Sequence, residues 1–319
     1  MKGVGLTMEG QEGNEILYDI LLDQAWSTTA LDIQSYISSW VSRRYVVKTL
    51  PTAAKQAWLL LGSTVYSNSD PNTQATVKSI LELAPAISGL TGRGGHHPTS
   101  VFYNTNTTIV PALQLLLQAS RQNPQLLRSP EFAHDVVDLG RQLLANRFID
   151  LYNTLISTFN SPTSKEANVA SAAKSLLTLL SDLDALLYTN KDFLLSNWIK
   201  MARGLAANTN DASYANYLEY NARNQLTLWG PTGQINDYAS KQWAGLVGTY
   251  YLPRWQMFTD YLQETKRTGA AFNADTINNQ LLDFGIAWDT KIWGQGAGEA
   301  WGTKGNTWSA IQSIMTKYT

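Results

Sequence analysis

From Asn14 to the C-terminus the apolar residues recur at spacings of three and four, which is the period of helices that bury one face. Ile16, Leu17, Ile20, Leu21 and Ala25 mark a first helix running to Trp26. Asp32 is placed to cap a second, carrying Tyr36, Ile37, Trp40 and Val41. A third covers about Thr52–Tyr66, and further tracts are expected over about 108–122, 130–160, 166–187, 191–208, 211–228, 237–265, 273–293 and 304–317. Ser129-Pro130-Glu131 and Ser161-Pro162-Thr163 read as start signals, with Pro in a first turn where its missing N–H is harmless. Pro253 should kink or divide the 237–265 tract. The stretch Leu90–Tyr103, with Gly92, Gly94, Gly95 and Pro98, reads as a surface loop. Only the first eight residues break the helical pattern. Gly3, Val4, Gly5, Leu6 and Met8 form a short apolar run that reads as a buried strand ending at Glu9-Gly10. One strand cannot make a sheet, so this segment and its following helix look like the last βα unit of a larger array.

Composition narrows the function classes. Of 319 residues, 44% are hydrophobic and only 15% charged; 24 Lys plus Arg against 25 Asp plus Glu give a net charge of −1. That balance lacks the basic footprint of a nucleic-acid binder. There is no cysteine, which excludes a thiolate metal site and a thiol nucleophile. No apolar run is long enough for a membrane helix, Leu176–Leu187 being broken by Ser181, Asp182 and Asp184, and the first residues do not read as a signal peptide.

Several motifs are set aside. His96 and His97 lie in the glycine-rich loop without a carboxylate at ligand spacing. Asp283-Phe284-Gly285 falls within a helical tract, and Gly294–Gly298 follows a helix instead of a strand. Asn106 heads a glycosylation triplet of little weight. Two constellations remain. Glu9 stands at a strand end, where βα barrels place catalytic groups, although a carboxylate capping the next helix fits the same spacing. In the second, a helix must stop at Gly230-Pro231 and restart near Asp237, which puts Trp229 and Tyr238 on either side of a short loop. Aromatic rings beside amides and an arginine suit a sugar, whose faces are apolar and whose edges carry hydroxyls. With 11 Trp and 15 Tyr in the chain, however, the residues by themselves favour the plainer reading that these rings fill a helical core.

Both constellations resemble the α-N-acetylglucosaminidase family of glycoside hydrolases. The similarity includes Met8-Glu9-Gly10, Arg43-Arg44-Tyr45, Phe102-Tyr103-Asn104 and Phe193-Leu194-Leu195 with Trp198. Its most specific stretch is Gln225-Leu226-Thr227-Leu228-Trp229-Gly230-Pro231, continued by Asp237-Tyr238-Ala239, Ala244–Val247 and Pro253-Arg254-Trp255. The resemblance runs from about residue 3 to about residue 265. It implies an all-α fold, an irregular helical bundle over residues 28–319. This is preceded over residues 1–27 by the last strand and helix of a (β/α)8 catalytic barrel. It further implies that Glu9 is the catalytic nucleophile and that Trp229, Ile235 and Tyr238 wall a pocket for N-acetylglucosamine. The family's acid/base Glu lies on an earlier barrel strand, and no residue here matches it, so the chain alone is expected to be nearly inactive. Neither metal nor organic cofactor is expected. The expected partners are a glycan ending in α-linked N-acetylglucosamine and the N-terminal barrel of the same protein. The family points to a secreted, lysosomal or vacuolar location. The alternative is a stand-alone helical glycan-binding or scaffold module without hydrolase activity.

Overall fold

A computed structural model describes residues 3–6, 14–71, 77–95, 97–209, 211–294 and 301–319. Among these residues there are eleven α-helices and no strand; the single β-type contact is an isolated parallel bridge between Leu194 and Ala244. Residues 3–6 carry no strand, since extended backbone becomes one only when a neighbouring strand accepts its hydrogen bonds. Glu9 and His96 lie outside the described residues. The chain divides into two compact units, 1–77 with 94–143 and Thr319, and 78–93 with 144–318.

The first unit holds α1 (Glu15–Gln24), α2 (Ile33–Tyr45), α3 (Thr52–Ser63), α4 (Ile109–Gln122) and the first part of α5 (Pro130–Asn160). Asp32 caps α2 as expected, accepting from the Ser35 N–H at 2.8 Å. α2 packs on α3 and α3 on α4, and the Trp40 and Trp58 rings meet edge to face at 4.8 Å. Asp135 of α5 is buried and fully used. It accepts two bonds from Arg44, at 2.8 and 2.7 Å, and one from the Tyr45 hydroxyl at 2.8 Å, and the Trp58 indole N–H donates on to Tyr45. α1 is held differently: Asp19 accepts from the Trp40 indole, Asp23 from the Tyr36 hydroxyl, and Glu15 pairs with Arg44. Only Ile16 of α1 is buried.

The second unit holds the rest of α5 with α6 (Glu166–Leu187), α7 (Leu195–Gly204), α8 (Ala212–Leu226), α9 (Leu252–Thr268), α10 (Ala274–Asp289) and α11 (Thr307–Tyr318). Its core is the apolar face of α6 (Leu176, Leu179, Leu180, Leu183) with Trp255, Phe258 and Leu262 of α9. α6 starts at Glu166, later than the Ser161-Pro162 signal suggests, because the Asn168 side chain accepts from the Lys165 N–H and sets the first turn there. The largest departure is the tract expected over 237–265. Residues 237–245 are not helical; a π turn follows at Val247–Tyr251, and α9 begins only at Leu252. Asp184 of α6 accepts from the Gly245 and Gly248 N–H groups, at 2.8 and 2.9 Å, and so caps the incoming turn with a residue distant in sequence. At the end of the turn the Leu252 N–H reaches back to the Val247 carbonyl, and Pro253 falls in the first turn of α9, where its missing N–H is tolerated.

Candidate functional site: the Trp229–Tyr238 loop

α8 ends at Leu226 and the chain turns outward through Trp229, Gly230 and Pro231 before returning to the interior at Asp237. Inside α8 lies a buried ionic cluster. Glu219 accepts from Arg223 at 2.9 and 2.8 Å, from Arg203 at 2.7 Å and from the Trp293 backbone N–H at 2.8 Å. The Arg223 guanidinium lies 4.6 Å from the Trp288 ring centre. This network fixes the base from which the loop departs.

The loop itself is over-determined by polar contacts. The Trp229 N–H donates to the Asn224 carbonyl at 2.7 Å. The Asn224 side chain then brackets Gly230, its Oδ1 accepting from the Gly230 N–H at 2.7 Å and its Nδ2 donating to the Gly230 carbonyl at 3.0 Å. Asn224 Nδ2 also donates to Asp289 Oδ2 at 2.8 Å, and the Thr227 hydroxyl donates to Asp289 Oδ1 at 2.6 Å. The Thr227 carbonyl closes the loop by accepting from the Asp237 N–H at 2.7 Å. Asp237 is buried against Arg254, whose Nη1 donates to it at 2.9 Å while Nη2 donates to the Glu82 carbonyl at 2.6 Å.

Such contacts are needed because the backbone is strained. Trp229 has φ 47° and Asp237 φ 60°, left-handed values that cost a side-chain-bearing residue about 1–3 kcal/mol each. At Gly230, φ is 143°, a backbone region that residues with side chains rarely adopt and glycine enters without strain. The strain serves a geometric result. The Trp229 and Tyr238 rings face each other at 5.1 Å and 70°, both half-buried, with Ile235 exposed between them in sequence. The loop is uncharged at its tip, where Pro231, Thr232, Gln234 and Asn236 face solvent.

Of the four residues singled out from the sequence, Trp229, Ile235 and Tyr238 thus share one rigid loop, and the fourth, Glu9, lies outside the described residues. Sequence reasoning missed Asn224, Thr227 and Asp289. An Asn near a helix end, six residues before a Gly-Pro break, is a usable sign of such a bracket. Asp289 gives no sign, because its partners lie more than sixty positions away. Among the described residues no cluster of His, Asp or Glu is arranged to hold a metal ion, and no helix is long and apolar enough to cross a membrane.

These features define an all-α protein that displays a hydrogen-bonded loop, uncharged at its tip, carrying an aromatic pair. The family model for the C-terminal domain of α-N-acetylglucosaminidase matches residues 36–317. Human α-N-acetylglucosaminidase is 34% identical over 285 residues, which are 88% of this chain and 36% of the human protein. Among solved structures, a family 89 glycoside hydrolase from Clostridium perfringens, in complex with its substrate GlcNAc-α-1,4-galactose, superimposes with a TM-score of 0.84 at 23% identity, covering 96% of this chain and 34% of that one. The family 89 enzyme from the same organism in complex with PUGNAc gives 0.83 at 24% identity, with the same coverage. The chain belongs to the α-N-acetylglucosaminidase C-terminal domain family, and it spans about a third of the length of these relatives.

Proposed function

We propose that this chain is the C-terminal portion of a retaining exo-glycosidase that releases terminal α-linked N-acetylglucosamine. Residues 1–27 would supply the last strand and helix of its (β/α)8 barrel, and residues 28–319 its helical domain. The observation that carries this reading is the Trp229–Tyr238 pair, fixed edge to face at 5.1 Å on a strained loop, in a domain of this family. Edge-to-face rings leave one aromatic face free for the apolar face of a pyranose, while Ile235 and the neighbouring amides suit its N-acetyl group and hydroxyls.

In the mechanism that follows, Glu9 is the nucleophile. It attacks the anomeric carbon from the β face, and water later opens the β-glycosyl-enzyme with net retention. The second carboxyl group must lie about 5–5.5 Å from the first, protonate the leaving oxygen and then activate the water. That residue would come from barrel strands outside this chain, and general acid–base assistance contributes about 10²–10⁴-fold. The family also favours a secreted, lysosomal or vacuolar setting.

The test uses an aryl α-N-acetylglucosaminide. In the full-length enzyme, Trp229→Ala should raise KM several-fold with little change in thermal midpoint, and Glu9→Gln should abolish turnover. The 319-residue chain alone should give no turnover. Hydrolysis by the chain alone that disappears in Glu9→Gln would refute the need for a second carboxyl from elsewhere. Saturable glycan binding by a natural product of this length, with no hydrolase of which it forms part, would favour the binding-module alternative.

A further inference from the structure

Asp289 is buried at the end of α10, with both of its oxygens spent on the helix end that launches the loop. Its role follows from the donor and acceptor count around Asn224. The amide must present its NH2 to two acceptors, the Gly230 carbonyl and Asp289 Oδ2, and its oxygen to one donor, the Gly230 N–H. Turning the amide over would aim Oδ1 at two acceptors and Nδ2 at a donor, three mismatches in a shielded setting. An acceptor at position 289 therefore adds a third mismatch to the two that Gly230 itself imposes, and so holds the amide in one of its two orientations. That orientation is the one that clamps Gly230 from both sides and keeps Trp229 left-handed.

We propose that Asp289 is a positioning residue of the aromatic loop: it orients the Asn224 amide, and through it sets Trp229 against Tyr238. Its importance for sugar binding rests on the function proposed above; its control of loop geometry does not. Asn at this position should substitute well. Its carbonyl oxygen can accept from Asn224, and its NH2 can donate to Thr227 Oγ1, while the Thr227 hydroxyl keeps its bond to the Arg223 carbonyl, now 2.9 Å away. Leucine offers no acceptor and should release the amide.

The experiment is amide and indole NMR on the 319-residue chain without ligand. In Asp289→Leu the Gly230 N–H should exchange about tenfold faster or more, and the Trp229 indole signal should shift or broaden. The Trp58 indole, in the other unit, should stay in place. Asp289→Asn should leave the Gly230 and Trp229 signals near the parent. Should Asp289→Leu fail to fold, Asn224→Ala tests the same link from its other side and should free Gly230 equally. Unchanged Gly230 exchange and Trp229 signals in both Asp289→Leu and Asn224→Ala would overturn the proposal, as would an Asp289→Asn loop as loose as that of Asp289→Leu. Because no sugar is present, these outcomes are separate from the glycosidase reading. A loosened loop with undiminished sugar affinity in the full-length enzyme upholds the positioning role and counts against the sugar wall.

Discussion

Asp289 carries a cost as well as a role. Burial pushes its carboxyl up to about 6, against the opposing pull of the Thr227 and Asn224 hydrogen bonds and of Arg223. The folded value lies above the unfolded one of about 3.9, so the folded state holds this proton more tightly. The stability the group contributes is then fully present below about pH 4 and is lost as pH rises through about 6. The loss is about 3 kcal/mol. Asp289→Asn, a neutral isostere, should therefore melt above the parent at about pH 7.5, with the gap closing near pH 4. Melting curves at the two pH values check this, and a gap of equal size at both would contradict it. The Trp229 and Tyr238 ring pair was legible in the sequence because Gly-Pro ends a helix. Their supports were not, because Asn224 and Asp289 meet through space and neither follows a local rule.

At the scale of elements, the helices expected over 130–160 and 166–187 appear with those bounds, and those near 108–122, 211–228, 273–293 and 304–317 within a few residues. Periodicity fails at 237–245. Apolar spacing there is consistent with a helix, yet Asp237 is drawn into a buried ion pair with Arg254, and Asp184 caps the chain only at Gly245. The π turn depends on close approach as well. A Cβ on Gly248 would lie 2.5 Å from Asp184 Oδ2, nearer than side-chain atoms can come. Gly248→Ala should then displace Asp184, cost about 1–3 kcal/mol and lower the midpoint of chemical unfolding. A variant as stable as the parent would show that Asp184 does not hold the turn.

For the molecule as a whole, α1 is the element least committed to the chain that carries it. Its polar ties to α2 are sound, but Leu17, Leu21 and Leu22 are exposed on it, and the Trp26 that follows is 79% exposed. A helix that buries only Ile16 has little hydrophobic anchorage, as expected if its apolar surface belongs against a barrel. Amide exchange should accordingly be faster along α1 than along α2 and α3. Protection at Ile20–Gln24 equal to that at Ile37–Val41 would show that α1 needs nothing more. The sequence by itself determined the all-α class, most helix bounds, the family and the aromatic residues of the loop. Each of these follows from local periodicity, from helix-breaking residues or from a long ordered match. Tertiary structure alone decided that α9 starts late, that Trp229 is left-handed, and that one buried carboxylate fixes an amide beside it. Those outcomes arise from hydrogen bonds between residues distant in the chain, satisfied only once the helices have packed.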